Sequence, residues 1–127
     1  MAIIGIGSDI IEIKHIHKII SRTGDKFAWK VLSNNEWIQY KQHKQKIRFL
    51  AKRCAAKEAA SKAFGTGFRN GLTFSQFEIF TDHFGKPNLK LLNYAKKLSK
   101  KLKITNIHVT LTDEHLYSFA TVIFEKN

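Results

Sequence analysis

Phe49-Leu50-Ala51-Lys52-Arg53-Cys54-Ala55-Ala56-Lys57-Glu58-Ala59-Ala60-Ser61-Lys62-Ala63-Phe64-Gly65-Thr66-Gly67 is the stretch on which the reading of the chain turns. Its residues predict a helix, because alanine has the best helix propensity, Lys, Arg, Glu and Leu follow closely, and Gly65-Thr66-Gly67 supplies a C-terminal stop. A step of about 100° per residue places Arg53, Cys54, Lys57, Glu58, Ser61 and Lys62 on one half of the wheel. Ala55, Ala56, Ala59, Ala60 and Ala63 fill the other half, and only Lys52 breaks the pattern. An alanine face lets another backbone approach closely. The opposite face, one carboxylate among cations and a hydroxyl, reads as a site for a phosphate-bearing ligand. The plainer reading of Glu58 and Lys62 is an ordinary i, i+4 surface ion pair contributing about 0.2–0.5 kcal/mol.

Asp9 tips the balance. Ala2 to Ile10 is an apolar run that reads as a buried strand, and an acidic residue at the end of such a strand is costly to bury unless it is paired or binds a metal. Asp9 and Glu58 together offer two hard oxygen ligands. Dinucleotide and P-loop fingerprints are absent, since Gly5-Ile6-Gly7-Ser8-Asp9 lacks a third glycine and no Gly-x-x-x-x-Gly-Lys-Ser/Thr occurs.

The opening Gly5-Ile6-Gly7-Ser8-Asp9-Ile10-Ile11-Glu12-Ile13 and the block from Phe49 to Gly67 closely resemble the holo-[acyl-carrier-protein] synthases, which are phosphopantetheinyl transferases. The resemblance continues through Arg69-Asn70-Gly71-Leu72, Phe84-Gly85-Lys86-Pro87 and His108-Val109-Thr110-Leu111-Thr112-Asp113-Glu114, and so spans essentially the whole chain. Two positions depart from the usual pattern: His15 stands where many members have Arg, and Thr112-Asp113-Glu114 where many have Ser-His-Asp.

The resemblance implies transfer of phosphopantetheine from coenzyme A to a serine of apo acyl carrier protein, in support of fatty acid biosynthesis. Its implied metal is Mg²⁺ on Asp9 and Glu58, with Glu58 and Lys62 catalytic. Either Glu58 or a water on the metal would act as base; the water is preferred, because a carboxylate bound to Mg²⁺ is a weak base. Substrate contacts fall on Arg53, Lys57, Ser61, Gly65, Lys86, Pro87, Thr110 and Thr112, and carrier-protein contacts on Lys14, His15, Lys18 and Arg22. The implied assembly is a homotrimer with active sites between adjacent subunits.

Composition sets the outer limits. The 127 residues fit one domain, 1–127, and the single proline and absence of Gly/Ser-rich runs suggest no linker. No signal-peptide pattern and no apolar run of about 20 residues occurs, so a soluble, cytoplasmic protein without membrane partners is expected. Cys54, the only cysteine, excludes an internal disulfide and reads as a packed helix residue rather than a nucleophile. A net charge of +12 calls for anionic partners. A small basic nucleic-acid-binding domain is the runner-up, but it leaves Asp9 and the acid at the centre of the basic helix face unexplained.

The other elements follow from periodicity. Ile13, Ile16, Ile19 and Ile20 predict a helix from Glu12 to about Arg22, with Lys14, His15, Lys18 and Arg22 on its other face. Asp25 is an expected N-cap for a short helix, and Ser33-Asn34-Asn35-Glu36 a capping box for the next. Phe74 to Asp82 reads as a strand, Asp82 to Pro87 as a turn and Asn88 to Leu92 as the returning strand. Asn93 is the expected cap of a basic amphipathic helix to Lys103. Ile107 to Thr112 and Tyr117 to Glu125 form a hairpin. This order predicts an α+β fold with helices on one side of a mainly antiparallel sheet.

Overall fold

A computed structural model describes all 127 residues. The chain runs β1 (Ala2–Glu12), α1 (Ile13–Thr23), α2 (Lys26–Val31), α3 (Asn34–Gln42), α4 (Lys46–Ala63), a 3₁₀ turn (Phe74–Gln76), β2 (Phe77–Thr81), β3 (Pro87–Leu91), α5 (Asn93–Lys101), β4 (Asn106–Asp113) and β5 (Tyr117–Lys126). The α+β class and the antiparallel pairing agree with expectation. The single sheet does not: β1, β5 and β4 form one three-stranded sheet in the order β1-β5-β4, while β2 and β3 form a separate two-stranded one.

Local chemistry explains most boundaries. The Ser33 hydroxyl accepts from the Glu36 amide while the Glu36 carboxylate accepts from the Ser33 amide, the reciprocal capping box that starts α3. Asp25 precedes α2 without capping it, because its carboxylate accepts from the Tyr40 hydroxyl instead. Asn93 likewise makes no side-chain cap. Helix α4 stops at Ala63, and Gly65 at φ +87° turns the chain away.

Helix α4 lies in the middle of the molecule. One side packs against the inner face of the three-stranded sheet, where its alanines meet Val122, Phe124, Ala120 and Val109 in the larger core. Its first turns join the second core with Ile16, Val31, Leu32 and Tyr40. The alanine face therefore seats the helix on its own chain's sheet. Cys54 is buried in the second core, and burial pushes its thiol up to about 12.

The seat is unusually close. A Cβ at Gly5 would lie 1.8 Å from the Ala63 carbonyl oxygen, and one at Gly7 would lie 1.9 Å from that of Ala59. Gly5, Gly7, Asp9 and Ile11 face the helix, whereas Ile6 and Ile10 point outward and are 64% and 60% exposed. The run expected to be a buried strand thus has one buried face. The outer face also carries Phe119 of β5, opposite Ile10, and Thr110 and Thr112 of β4.

The opposite side of α4 meets α3 and β2 through buried charge. Lys57, fully enclosed, donates to the Glu36 carboxylate at 2.6 Å, to the carbonyls of Val31 at 3.0 Å and Phe74 at 3.1 Å, and to that of Phe77. The other Glu36 oxygen accepts from the Ile79 amide at 2.9 Å. These two side chains occupy backbone groups on the edge of β2 that β3 leaves free, as a neighbouring strand would.

Gly7→Ala is expected to destabilise the chain by at least about 1–3 kcal/mol, since the added methyl meets helix backbone that has nowhere to move. Thermal melting measures this; a melting temperature equal to that of the unmodified chain would show that β1 and α4 separate without loss.

Candidate active site

Asp9 extends from the inner side of β1, just beyond the glycines that bring α4 against the strand. Lys62, on the last turn of α4, donates to the Asp9 carboxylate at 2.9 Å and to the Ser8 carbonyl at 3.1 Å. The i, i+4 ion pair between Glu58 and Lys62 is not made; the ammonium turns to the strand instead. The carboxylate of Glu58, a half-buried residue, accepts no hydrogen bond and makes no ion pair. Its carboxyl is raised above the ordinary range first by burial and next by the nearby charge of Asp9, with Lys62 opposing. The two carboxylates therefore repel each other across a partly desolvated gap.

Such a pair fits a divalent cation. Asp9 keeps one oxygen free of Lys62, Glu58 keeps both free, and no third His, Cys, Asp or Glu completes an all-protein cage. Two hard donors with open positions are the donor set of a Mg²⁺ ion that also takes phosphate and water.

The remaining candidate residues separate on burial. The helix half expected to carry a row of ligand contacts is mostly internal: between Arg53 and Lys62, only Glu58 and Lys62 are more than marginally accessible. Lys57 is sealed inside by four oxygen partners, and so is not a surface phosphate contact. Ser61 has no exposed surface and donates its hydroxyl to the Glu58 carbonyl at 2.7 Å, so it too is corrected from ligand contact to interior residue. The wheel distinguishes the sides of a helix, but not which sides a fold will cover. Arg53 is nearly buried over the Phe49 ring, with its Nε 3.4 Å from Glu36, and it edges a cavity of about 310 Å³ shared with Lys52 and His43.

Gly65 is exposed at the end of α4. Lys86 is exposed and Pro87 half-buried at the tip of the β2–β3 hairpin, where the Asp82 carboxylate accepts from the Lys86 amide at 3.0 Å. No hydrogen bond or ion pair joins that tip to Asp9 or Glu58. Thr110 and Thr112 are exposed on the outer sheet face, away from α4. His108 on the same face lies 3.4 Å from the Glu125 carboxylate rather than on a backbone partner.

Lys14, His15, Lys18 and Arg22 are all exposed along α1. Lys14 also lines a cavity of about 670 Å³, together with His17, His43, Lys44, Lys46 and Arg48. Sequence reasoning does not single out Arg48. It donates to Asp113 at 2.8 Å and to the Glu114 and His115 carbonyls, pinning the β4–β5 turn to α4 and holding the Asp113 carboxyl below its usual range. Its place in the basic run from Lys41 to Arg53 is the only signal the sequence offers.

Comparison with known proteins bears directly on this geometry. Residues 5–120 match the model of the 4'-phosphopantetheinyl transferase superfamily, so the chain belongs to that family. A holo-[acyl-carrier-protein] synthase of Erwinia tasmaniensis is 59% identical over 125 residues, covering 98% of this chain and 99% of the relative. The crystal structure of the Neisseria meningitidis holo-[acyl-carrier-protein] synthase superposes with a TM-score of 0.94 at 34% identity, covering 98% of this chain and 100% of the other. A Bacillus anthracis holo-(acyl-carrier-protein) synthase, solved in complex with CoA (3',5'-ADP), superposes at 0.81 with 33% identity, covering 98% of each chain.

The raised Glu58 carboxyl sets a sign for stability. An acid whose folded pKa is raised favours the fold below its ordinary range and loses that contribution as pH rises through the raised value. Metal-free Glu58→Gln is therefore expected to melt above the unmodified protein at pH 7, the difference vanishing below about pH 4.3. Melting curves in a chelator at both pH values test this; an equal or lower midpoint at pH 7 contradicts the strained carboxylate pair.

Proposed function

We propose that this chain is a Mg²⁺-dependent holo-[acyl-carrier-protein] synthase acting in the cytoplasm as one catalytic domain, in support of fatty acid biosynthesis. It transfers 4'-phosphopantetheine from coenzyme A to a serine of apo acyl carrier protein. The observation that carries the reading is the meeting of Asp9, Glu58 and Lys62 at the close contact of β1 and α4, in a chain that matches its family from residue 5 to 120. The runner-up, a nucleic-acid-binding domain, is not supported: the basic surface surrounds a carboxylate pair that would repel a phosphate backbone.

In the reaction the serine hydroxyl gives its proton to Glu58 or to a water that Glu58 orients, its oxygen bonds to the phosphorus that bears pantetheine, the bond from that phosphorus to the bridging oxygen breaks, and adenosine 3',5'-bisphosphate leaves. Mg²⁺ on Asp9 and Glu58 would supply Lewis-acid stabilisation of phosphate charge. The chain's own residues do the rest. Lys62 is about half exposed and held only by Asp9 and Ser8, so its ammonium is placed to turn to the transferring phosphoryl oxygens. Gly65 gives a ligand close access to the end of α4. The row Lys14, His15, Lys18 and Arg22 faces an acidic carrier protein and steers its approach.

Incubation with coenzyme A, Mg²⁺ and an apo acyl carrier protein is expected to add phosphopantetheine to the carrier, read as a mass shift. Asp9→Ala and Glu58→Ala should each abolish it while remaining folded, and Arg22→Glu should raise the carrier KM far more than the coenzyme A KM. No shift with a verified carrier would overturn the function; a near-normal Mg²⁺-dependent rate in either carboxylate variant would overturn the site.

The working form we propose is a homotrimer in which Lys86 and Pro87 of one subunit, with Thr110 and Thr112 nearby, complete the nucleotide pocket of the next. Two features support this: Ile6, Ile10 and Phe119 lie exposed on one sheet face, and the hairpin tip makes no bond to its own chain's Asp9 or Glu58. Glu58→Ala and Lys86→Glu, each inactive alone, should then rescue roughly a quarter of sites when refolded together in a closed ring. Mixed trimers seen by native mass spectrometry without any rescue would refute the shared site.

A further inference from the structure

We propose that Lys57 is a positioning residue for phosphopantetheinyl transfer: its ammonium, gripped by Glu36 and by the carbonyls of Val31, Phe74 and Phe77, sets the rotation of α4 that turns Glu58 and Lys62 toward Asp9. This rests on the reading of Asp9, Glu58 and Lys62 as the reactive site.

Helix α4 is held on two sides by unlike means. Toward the sheet, Ala59 and Ala63 ride over Gly5 and Gly7, a contact that fixes how near the helix lies. Small residues on glycine backbone carry no directional bond, so this seat limits approach far more than rotation or sliding. Lys57 is two residues before Ala59 and points to the other side of the helix, about 200° around. There its bonds are directional and end on the last residue of α2, the 3₁₀ turn and β2, while Glu36 ties the same point to the start of α3. Glu58 projects between the two seats, about 100° from each.

The leverage is large. A group about 5–6 Å from a helix axis moves roughly 1 Å for each 10° of rotation. A misplacement of that size costs about 10²-fold in a reaction that depends on alignment. The other cations of α4 hold it less closely on the side of Lys57: Arg53 approaches Glu36 at 3.4 Å without hydrogen-bond geometry and donates one long bond, 3.4 Å, to Gln39 of α3, while Arg48 ties only the first turn of the helix to the β4–β5 turn. Lysine suits this position, since one ammonium meets acceptors from four separate segments and burial leaves it no competing water.

Two variants separate position from stability. Lys57→Met takes from the buried Glu36 carboxylate its closest cation, leaving only Arg53 at 3.4 Å, and should lower the melting temperature; Lys57→Met/Glu36→Gln removes the under-compensated charge and should recover much of that loss. Neither variant restores the bonds from α4 to Val31, Phe74 and Phe77. Both are expected to show kcat reduced 10-fold to 100-fold, measured well below their melting points per folded molecule, with the coenzyme A KM within about 3-fold of the unmodified protein. A purely structural Lys57 predicts instead that kcat per folded molecule stays normal, or returns together with stability in the double variant, and either result overturns the proposal. If the single variant does not fold, the double variant decides alone. Glu58→Ala runs alongside: retained activity there would refute the site itself, whatever Lys57 does.

Discussion

A helix and a strand touching backbone to backbone is the constraint on which the rest of this molecule depends. Gly5 and Gly7 have no side chains on the face of β1 that meets Ala59 and Ala63, and even one carbon there would overlap the helix carbonyls. This nearness brings a carboxylate at the far end of the strand within 2.9 Å of an ammonium on the last turn of the helix. With larger residues at the seat, the helix would stand farther off and the pair would part. The meeting of Asp9 and Lys62 is thus a by-product of small residues.

The chain places charge in its interior on the far side of the same helix. Burial lowers the Lys57 pKa, while the Glu36 carboxylate acts against that fall. An isolated buried ion would be costly, but here both partners are saturated by backbone donors and acceptors from several segments. The arrangement also solves an edge problem. The two-stranded sheet is too small to shield β2, and two side chains do what a third strand would otherwise do.

Much of this is legible in the sequence, and the exceptions have physical causes. The capping box at Ser33 and Glu36 is a local pattern and the structure bears it out, but local pattern does not reveal that the Glu36 carboxylate also serves Lys57 and Ile79. Lys57 reads as a surface cation because a helical wheel assumes one wet side, whereas α4 is enclosed on nearly all sides by elements distant in sequence. The isoleucines of β1 read as internal, yet the glycines between them mark the buried side; glycine at alternate strand positions is itself a sign of close backbone approach. Asp9 with Glu58 is legible because an acid at the end of an apolar strand calls for a partner.

Cys54 has a meaning that its packing alone does not suggest. Coenzyme A, the phosphopantetheine arm and the finished carrier all bear a free sulfhydryl, so an enzyme of this kind works in constant company with thiols and their oxidised forms. Exchange into a mixed disulfide needs an accessible thiolate. The only sulfur nucleophile in the chain is 3% exposed, and burial pushes it up to about 12, so it is both out of reach and protonated. The fold is in this respect redox-silent toward its own substrate.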